Sequence, residues 1–239
     1  MRRQKHGRLS LWVHVGSDGK PPDGSYTIGG DISQGTGASN SVLSIVNNRT
    51  KEKVGEFVSA HIRPDEFAKY AVALSKWFHN AFLIWEANGP GRIFGDVVIK
   101  SHYAFIFWRD KDERKIGKEK SDIPGWFSTG ENKTSFLGAY RKALAEGEFI
   151  NRSKQALREC LEYIFLPNGT VAHSASTRDE DPSGARESHG DRAIADALAL
   201  KGCERGALDK TPERVAKVGS LIYRRQHRAR RLAQKSTFW

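Results

Sequence analysis

Between Tyr26 and His61 three stretches suited to β-strands follow one another closely, and no other feature of the chain limits its fold so much. Tyr26–Asp31 reads as a strand running into the Gly- and Ser-rich loop SQGTGASNS. Ser41–Val46 is rich in β-branched residues, Asn47-Asn48-Arg49-Thr50 makes a turn, and Lys53–His61 is a third strand. Connections this short predict an antiparallel meander, because a parallel pair needs a crossover of about a dozen residues or more.

The chain then changes character. Pro64 opens a helix in which Phe67, Tyr70, Ala71, Leu74, Trp77 and Phe78 form one apolar face. Phe82–Glu86 is a short apolar strand that stops at Asn88-Gly89-Pro90-Gly91, Arg92–Lys100 reads as a helix, and Tyr103–Trp108 as another strand. Strand–helix–strand units imply right-handed parallel crossovers. Residues 109–125 read as a charged loop. A helix is expected from about Thr134 to Glu146, ended by Gly147, and Ser153 is the N-cap of the next, with Leu157, Leu161 and Ile164 on one face. A short strand at 169–173, a helix from near Ser188 to about Cys203, and a last helix from Pro212 complete the order. The expected architecture is α/β: a mixed sheet, three antiparallel strands plus parallel ones, with helices on both faces. Residues 1–24 read as an irregular basic arm, 25–205 as the folded domain, and 206–239 as a C-terminal helix and basic tail.

At 239 residues, with 38% hydrophobic side chains, the chain is too apolar for disorder, and no run approaches the roughly 20 apolar residues of a membrane span. Cys160 and Cys203 cannot make a disulfide framework, and no CxxC offers zinc ligands. The broken apolar stretch at the start makes a poor signal peptide, so the chain is expected to stay unsecreted. Nearly all of the net charge of +11 sits at the ends. Arg2, Arg3, Lys5 and Arg8 begin the chain; Arg224, Arg225, Arg228, Arg230, Arg231 and Lys235 lie near its end, with no acid among either group. Such tails suit a polyanion such as DNA, or serve only as solubilising ends.

Three acids fall where such a sheet would gather them. Asp31 ends the first strand in IGGDIS, Glu86 ends the fourth in LIWEANGPG, and Asp191 opens a late helix in SHGDRAIADALAL. Carboxylates are the ligands hard cations such as Mg²⁺ or Mn²⁺ prefer, and two such ions about 4 Å apart can activate a water and hold the leaving oxygen of a phosphodiester. Gly29, Gly30, Gly35, Gly37, Gly89 and Gly91 beside the acids would let a nucleic-acid backbone approach. Each acid also has a plain reading. Asp31 alone suits an Asx turn, and Ser188-x-x-Asp191 fits a capping box. Glu86 follows four apolar residues, where an unpaired carboxylate is costly. Asp191, Ile194 and Leu198 share a stripe at i, i+3 and i+7, whereas Asp196 lies roughly 140° around the helix and is expected at the surface or behind the site.

In combination these pieces resemble the nuclease domain of the large terminase subunit of tailed bacteriophages, a member of the ribonuclease H-like superfamily. GGDIS with its polar loop, WEANGPG, the Gly-Trp and Thr-x-x-x-Lys segment of PGWFSTGENKTSFLGAYRKALAEG, and SHGDRAIADALAL occur in the family's order over about residues 25–205. The resemblance implies a metal-dependent endonuclease cutting double-stranded DNA during genome packaging, with Asp31, Glu86 and Asp191 as ligands of two Mg²⁺ or Mn²⁺ ions. His189 would orient the site or help bind substrate. Gly190 stands where many members have a further Asp. The implied partners are an ATPase motor, the portal and the small terminase subunit, in the host cytoplasm and transiently at the procapsid. No G-x-x-x-x-G-K-[ST] phosphate loop is present, so ATP hydrolysis is not expected of these residues. Two other readings stay open: an actin-like or sugar-kinase-type phosphotransferase, suggested by DISQGTG, and a nucleic-acid binder without catalysis.

Overall fold

The meander closes as its short connections require. The computed structural model describes residues 7–110, 120–167, 171–174 and 190–206. In it β2 (Tyr26–Asp31), β3 (Ser41–Asn47) and β4 (Glu52–Ser59) pair antiparallel in turn. Helix α1 (Pro64–Trp77) crosses over and sets β5 (Phe82–Trp85) parallel to β2 on its other side. The first 24 residues, expected to be irregular, supply β1 (Leu9–Leu11) as an edge strand antiparallel to β4. It is held there because Leu9 and Leu11 pack on the core while Ser10 between them is exposed. The sheet order is β1-β4-β3-β2-β5.

Past β5 the sheet continues through single bridges, Leu83 to Ile106 and Glu86 to Trp126. The strand expected over Tyr103–Trp108 is therefore irregular until β6 (Trp108–Asp110), which pairs with β7 (Lys120–Pro124) inside the stretch read as a loop. The sheet fixes both ends of that stretch. Phe107 N–H donates to Leu83, Gly125 N–H to Phe107 and Trp126 N–H to Trp85, which brings β6 and β7 side by side.

Alternation along β5 divides two cores. Leu83 and Trp85 join Ile28, Phe67, Ala71, Phe94 and Val98 under α1 and α2 (Pro90–Lys100). Phe82 and Ile84 join Trp126, Phe136, Tyr140, Ile194 and Leu198 under α3 (Gly130–Ala145) and α5 (Asp191–Gly206). Helix α3 starts a turn before Thr134 because Thr129 and Asn132 form a reciprocal capping box. Ser153 caps α4 (Lys154–Leu161) as expected, its hydroxyl accepting from Ala156 N–H at 3.3 Å. The Leu157, Leu161 and Ile164 face of that region is turned outward, with Leu161 85% exposed, and the buried side carries Ala156 and Glu159. A hairpin of β8 (Tyr163–Phe165) and β9 (Val171–His173) follows. Among the described residues no helix is long and apolar enough to cross a membrane. The helix from Pro212 and the tail lie outside the described residues.

Helix α5 runs antiparallel to β2, with Ala195 and Ala199 over Gly29 and Gly202 over Thr27. A Cβ at Gly29 would overlap the Ala195 carbonyl and the Ala199 backbone nitrogen. The glycine thus makes room for the protein's own helix rather than for nucleic acid, and Gly91 likewise clears the Glu86 carbonyl. Because the obstructing atoms are backbone, Gly29→Ala is expected to cost about 1–3 kcal/mol, the range of overpacked cores. Thermal melting checks this; an unchanged midpoint would mean that α5 is not seated so closely.

Candidate active site

Strand geometry alone brings two of the acids together. Residues 27, 29 and 31 of β2 face α5, as do 82 and 84 of β5, and residue 86 continues the second series. Gly30 and Trp85 are partners in the parallel register, and Glu86 N–H donates to the Gly30 carbonyl at 3.1 Å. Asp31 and Glu86 therefore leave neighbouring strands on one face at one end. The antiparallel run of α5 over β2 sets its first residue, Asp191, above the same end. Burial, and after it the charges of Asp191 and Glu86, hold the Asp31 carboxyl well above the ordinary carboxylate range. Lys133, from the first turn of α3, and the Ile32 N–H act in the opposite sense.

Asp191 is almost fully buried, and both its oxygens are engaged by the β2–β3 loop. Ser39 Oγ donates to Oδ1 at 2.9 Å and Asn40 N–H to Oδ2 at 2.7 Å. The free N–H groups at the start of α5 are met by a residue of another helix. Glu159 Oε2 accepts from Arg192 N–H at 2.7 Å, while Oε1 accepts from the Arg192 guanidinium at 2.6 Å. Ser188 of the expected capping box lies outside the described residues. Gly190 has φ +82°, and a Cβ there would overlap the Tyr163 hydroxyl, which donates to the Gly190 carbonyl at 3.2 Å. The place of a side chain at position 190 is thus taken by a phenol. Burial, then the charges of Asp31, Glu159 and Asp191, push that phenol far up, so it stays neutral.

Asp196 is not at the surface. It is wholly buried, with its Oδ1 2.6 Å from Lys53 Nζ and accepting from Ser44 Oγ, and its Oδ2 accepting from Asn151 at 2.7 Å and Tyr140 at 3.1 Å. Lys53, also wholly buried, reaches Glu56 at 2.6 Å, and Glu56 reaches Arg192 at 3.2 Å. Burial alone would raise the Glu56 carboxyl; Lys53 and Arg192 bring it below its usual value. Asp196 thus belongs to a polar network inside the fold. Of the two places expected for Asp196 the surface is excluded, because α5 is covered on every side from Ala193 to Leu200, leaving no wet face for residue 196.

Glu159, Ser39 and Tyr163 were not singled out by sequence reasoning, whereas Lys133 is the lysine of the Thr-x-x-x-Lys segment. The Thr129–Asn132 capping box starts α3 early enough to place that lysine in the first turn. His189 and the basic residues Arg224, Arg225, Arg228, Arg230, Arg231 and Lys235 lie outside the described residues. Among the described residues no three His, Cys, Asp or Glu side chains stand in ready-made coordination geometry. The charges of Asp191 and Glu86 both act on Asp31. Their oxygen-only chemistry, drawn from three separate elements, fits a hard divalent cation rather than a soft one.

No family model matches the chain, and no curated protein matches it by sequence. Solved structures do. The large terminase nuclease of thermophilic phage G20c with bound magnesium aligns with a TM-score of 0.58 at 15% identity, over 83% of this chain and 89% of that one. Its cobalt-bound form aligns with 0.58 at 16% identity over the same shares. The large terminase nuclease domain of Thermus phage P74-26 gives 0.54 at 15% identity, over 82% and 86%. The mixed sheet and its flanking helices are thus those of the terminase nucleases, the ribonuclease H-like fold expected from the order of elements.

Proposed function

We propose that the protein is a divalent-metal-dependent endonuclease acting on double-stranded DNA, with phage genome packaging as its setting. The observation that carries this reading is the convergence of Asp31, Glu86 and Asp191 on one face at one end of the sheet. Neighbours of the same fold solved with magnesium or cobalt support it. Asp31 is central to the cluster, since both other carboxylates act on it, and with Glu86 and Asp191 it would hold Mg²⁺ or Mn²⁺, two ions on this reading. Such ions supply water activation and neutralise charge on the phosphodiester. Lys133 carries the positive charge that acts on this acidic cluster and would face the negatively charged backbone of DNA beside it. An ATPase motor, the portal and the small terminase subunit are the proposed partners, in the host cytoplasm and at the procapsid.

Supercoiled plasmid incubated with the protein is expected to be nicked and linearised with Mg²⁺ or Mn²⁺ and left intact in EDTA. Mn²⁺ at a hundredfold excess over its dissociation constant should also stabilise the fold by about 2.7 kcal/mol through mass action. Undiminished cutting in excess EDTA would overturn the metal mechanism.

A further inference from the structure

Asp191 is the one candidate ligand supplied by a helix, and its carboxylate is oriented from outside that helix. The Ser39 hydroxyl and the Asn40 N–H each donate to a different oxygen, at 2.9 and 2.7 Å, across about 150 residues of sequence. Bonds to a charged carboxylate are short and strong, and two of them on separate oxygens fix its rotation about the Cβ–Cγ bond. An ionised carboxylate has about four lone-pair sites, so one on each oxygen stays available.

The loop making these bonds is itself held. Ser33 N–H donates to Ser41 Oγ at 3.0 Å, and Gly37 N–H to the Ala60 carbonyl at 2.9 Å. Gly35, at φ +75°, lies so close to Ile62 that a Cβ would overlap the Ile62 carbonyl. From this we infer that Ser39 and the Asn40 N–H are positioning groups that set the Asp191 carboxylate for divalent-cation binding, with the β2–β3 loop as their rigid mount. This rests on the reading of Asp191 as a metal ligand.

Mn²⁺ titration calorimetry on the full chain tests it. Ser39→Ala is expected to weaken Mn²⁺ binding by about 10–100-fold, as loss of a group orienting a metal ligand does, while Ser39→Thr, which keeps the hydroxyl, stays within about threefold of the unaltered protein. Ser39→Ala in EDTA should still melt cooperatively, its midpoint lower by about 3–12 °C, since one hydrogen bond to a charged carboxylate is lost. Gly35→Ala, which displaces the loop without touching Asp191, should weaken Mn²⁺ binding in the same direction. Unchanged Mn²⁺ affinity in both Ser39→Ala and Gly35→Ala, or equal losses in Ser39→Ala and Ser39→Thr, would overturn the inference. Absence of Mn²⁺ binding to the unaltered protein is a different result, which removes the metal reading itself and the positioning role with it.

Discussion

Replacing Asp31 by Asn is expected to make the protein inactive and, in EDTA, more stable. The folded state holds the Asp31 carboxyl well above its ordinary value because it is buried and faces Asp191 and Glu86. A carboxyl raised in the folded state binds its proton more tightly there than in the unfolded chain. Its contribution to stability is complete below the unfolded pKa of about 4 and is lost as pH rises through the folded value. Asn cannot ionise, so the variant escapes that loss. Melting in EDTA should therefore show a higher midpoint for Asp31→Asn at neutral pH, with the gap closing towards pH 4. Each kcal/mol gained reads as about 2–4 °C in a chain of this size. With Mn²⁺ the order should reverse, the unaltered protein gaining and the variant gaining little. DNA cleavage should fall by at least about 100-fold, above the loss seen when only a group behind a metal ligand is removed. A variant that still cuts and still responds to Mn²⁺ would exclude Asp31 from the ligands.

Asp196→Ala is expected to cause the larger loss of stability. It leaves the buried Lys53 ammonium with Glu56 as its one remaining anion among the described residues, a carboxylate already shared with Arg192, strips Ser44 and Tyr140 of their acceptor, and leaves Asn151 only the Tyr140 hydroxyl. Breaking a buried ion pair by removing one partner costs about 3–5 kcal/mol, or roughly 6–20 °C in melting temperature here. Lys53→Met in the same background should cost much less than it does alone, because the cation it removes is already poorly paired. Thermal melting of the two single variants and the double completes the cycle. Strictly additive losses would mean that Lys53 and Asp196 act independently. Mn²⁺ should raise the melting temperature of Asp196→Ala as much as that of the unaltered protein, because the three acids are intact, and so leave the difference between the two unchanged.

The three antiparallel strands, the crossover to β5 and the strand-end acids follow from short-range information. Connection length sets the meander, period-two alternation puts Asp31 and Glu86 on one face, and the Ile194–Leu198 stripe sets Asp191 towards the sheet. Each depends on neighbours within a few residues, which is why the sequence alone suffices for them. The rest depends on what covers each surface. Asp196 is buried rather than at the surface because a helical stripe presumes one solvent-facing side, and α5 has none along its middle. Leu157 and Leu161 were read as an inward face, but α4 turns Glu159 inward to meet the start of α5. Glycines beside the acids make way for a helix and a carbonyl of the same chain. Ser39 meets Asp191, and Lys53 meets Asp196, across well over a hundred residues of sequence. Local propensity carries no record of such partners; they are fixed only when strand pairing and helix docking close the loops between them.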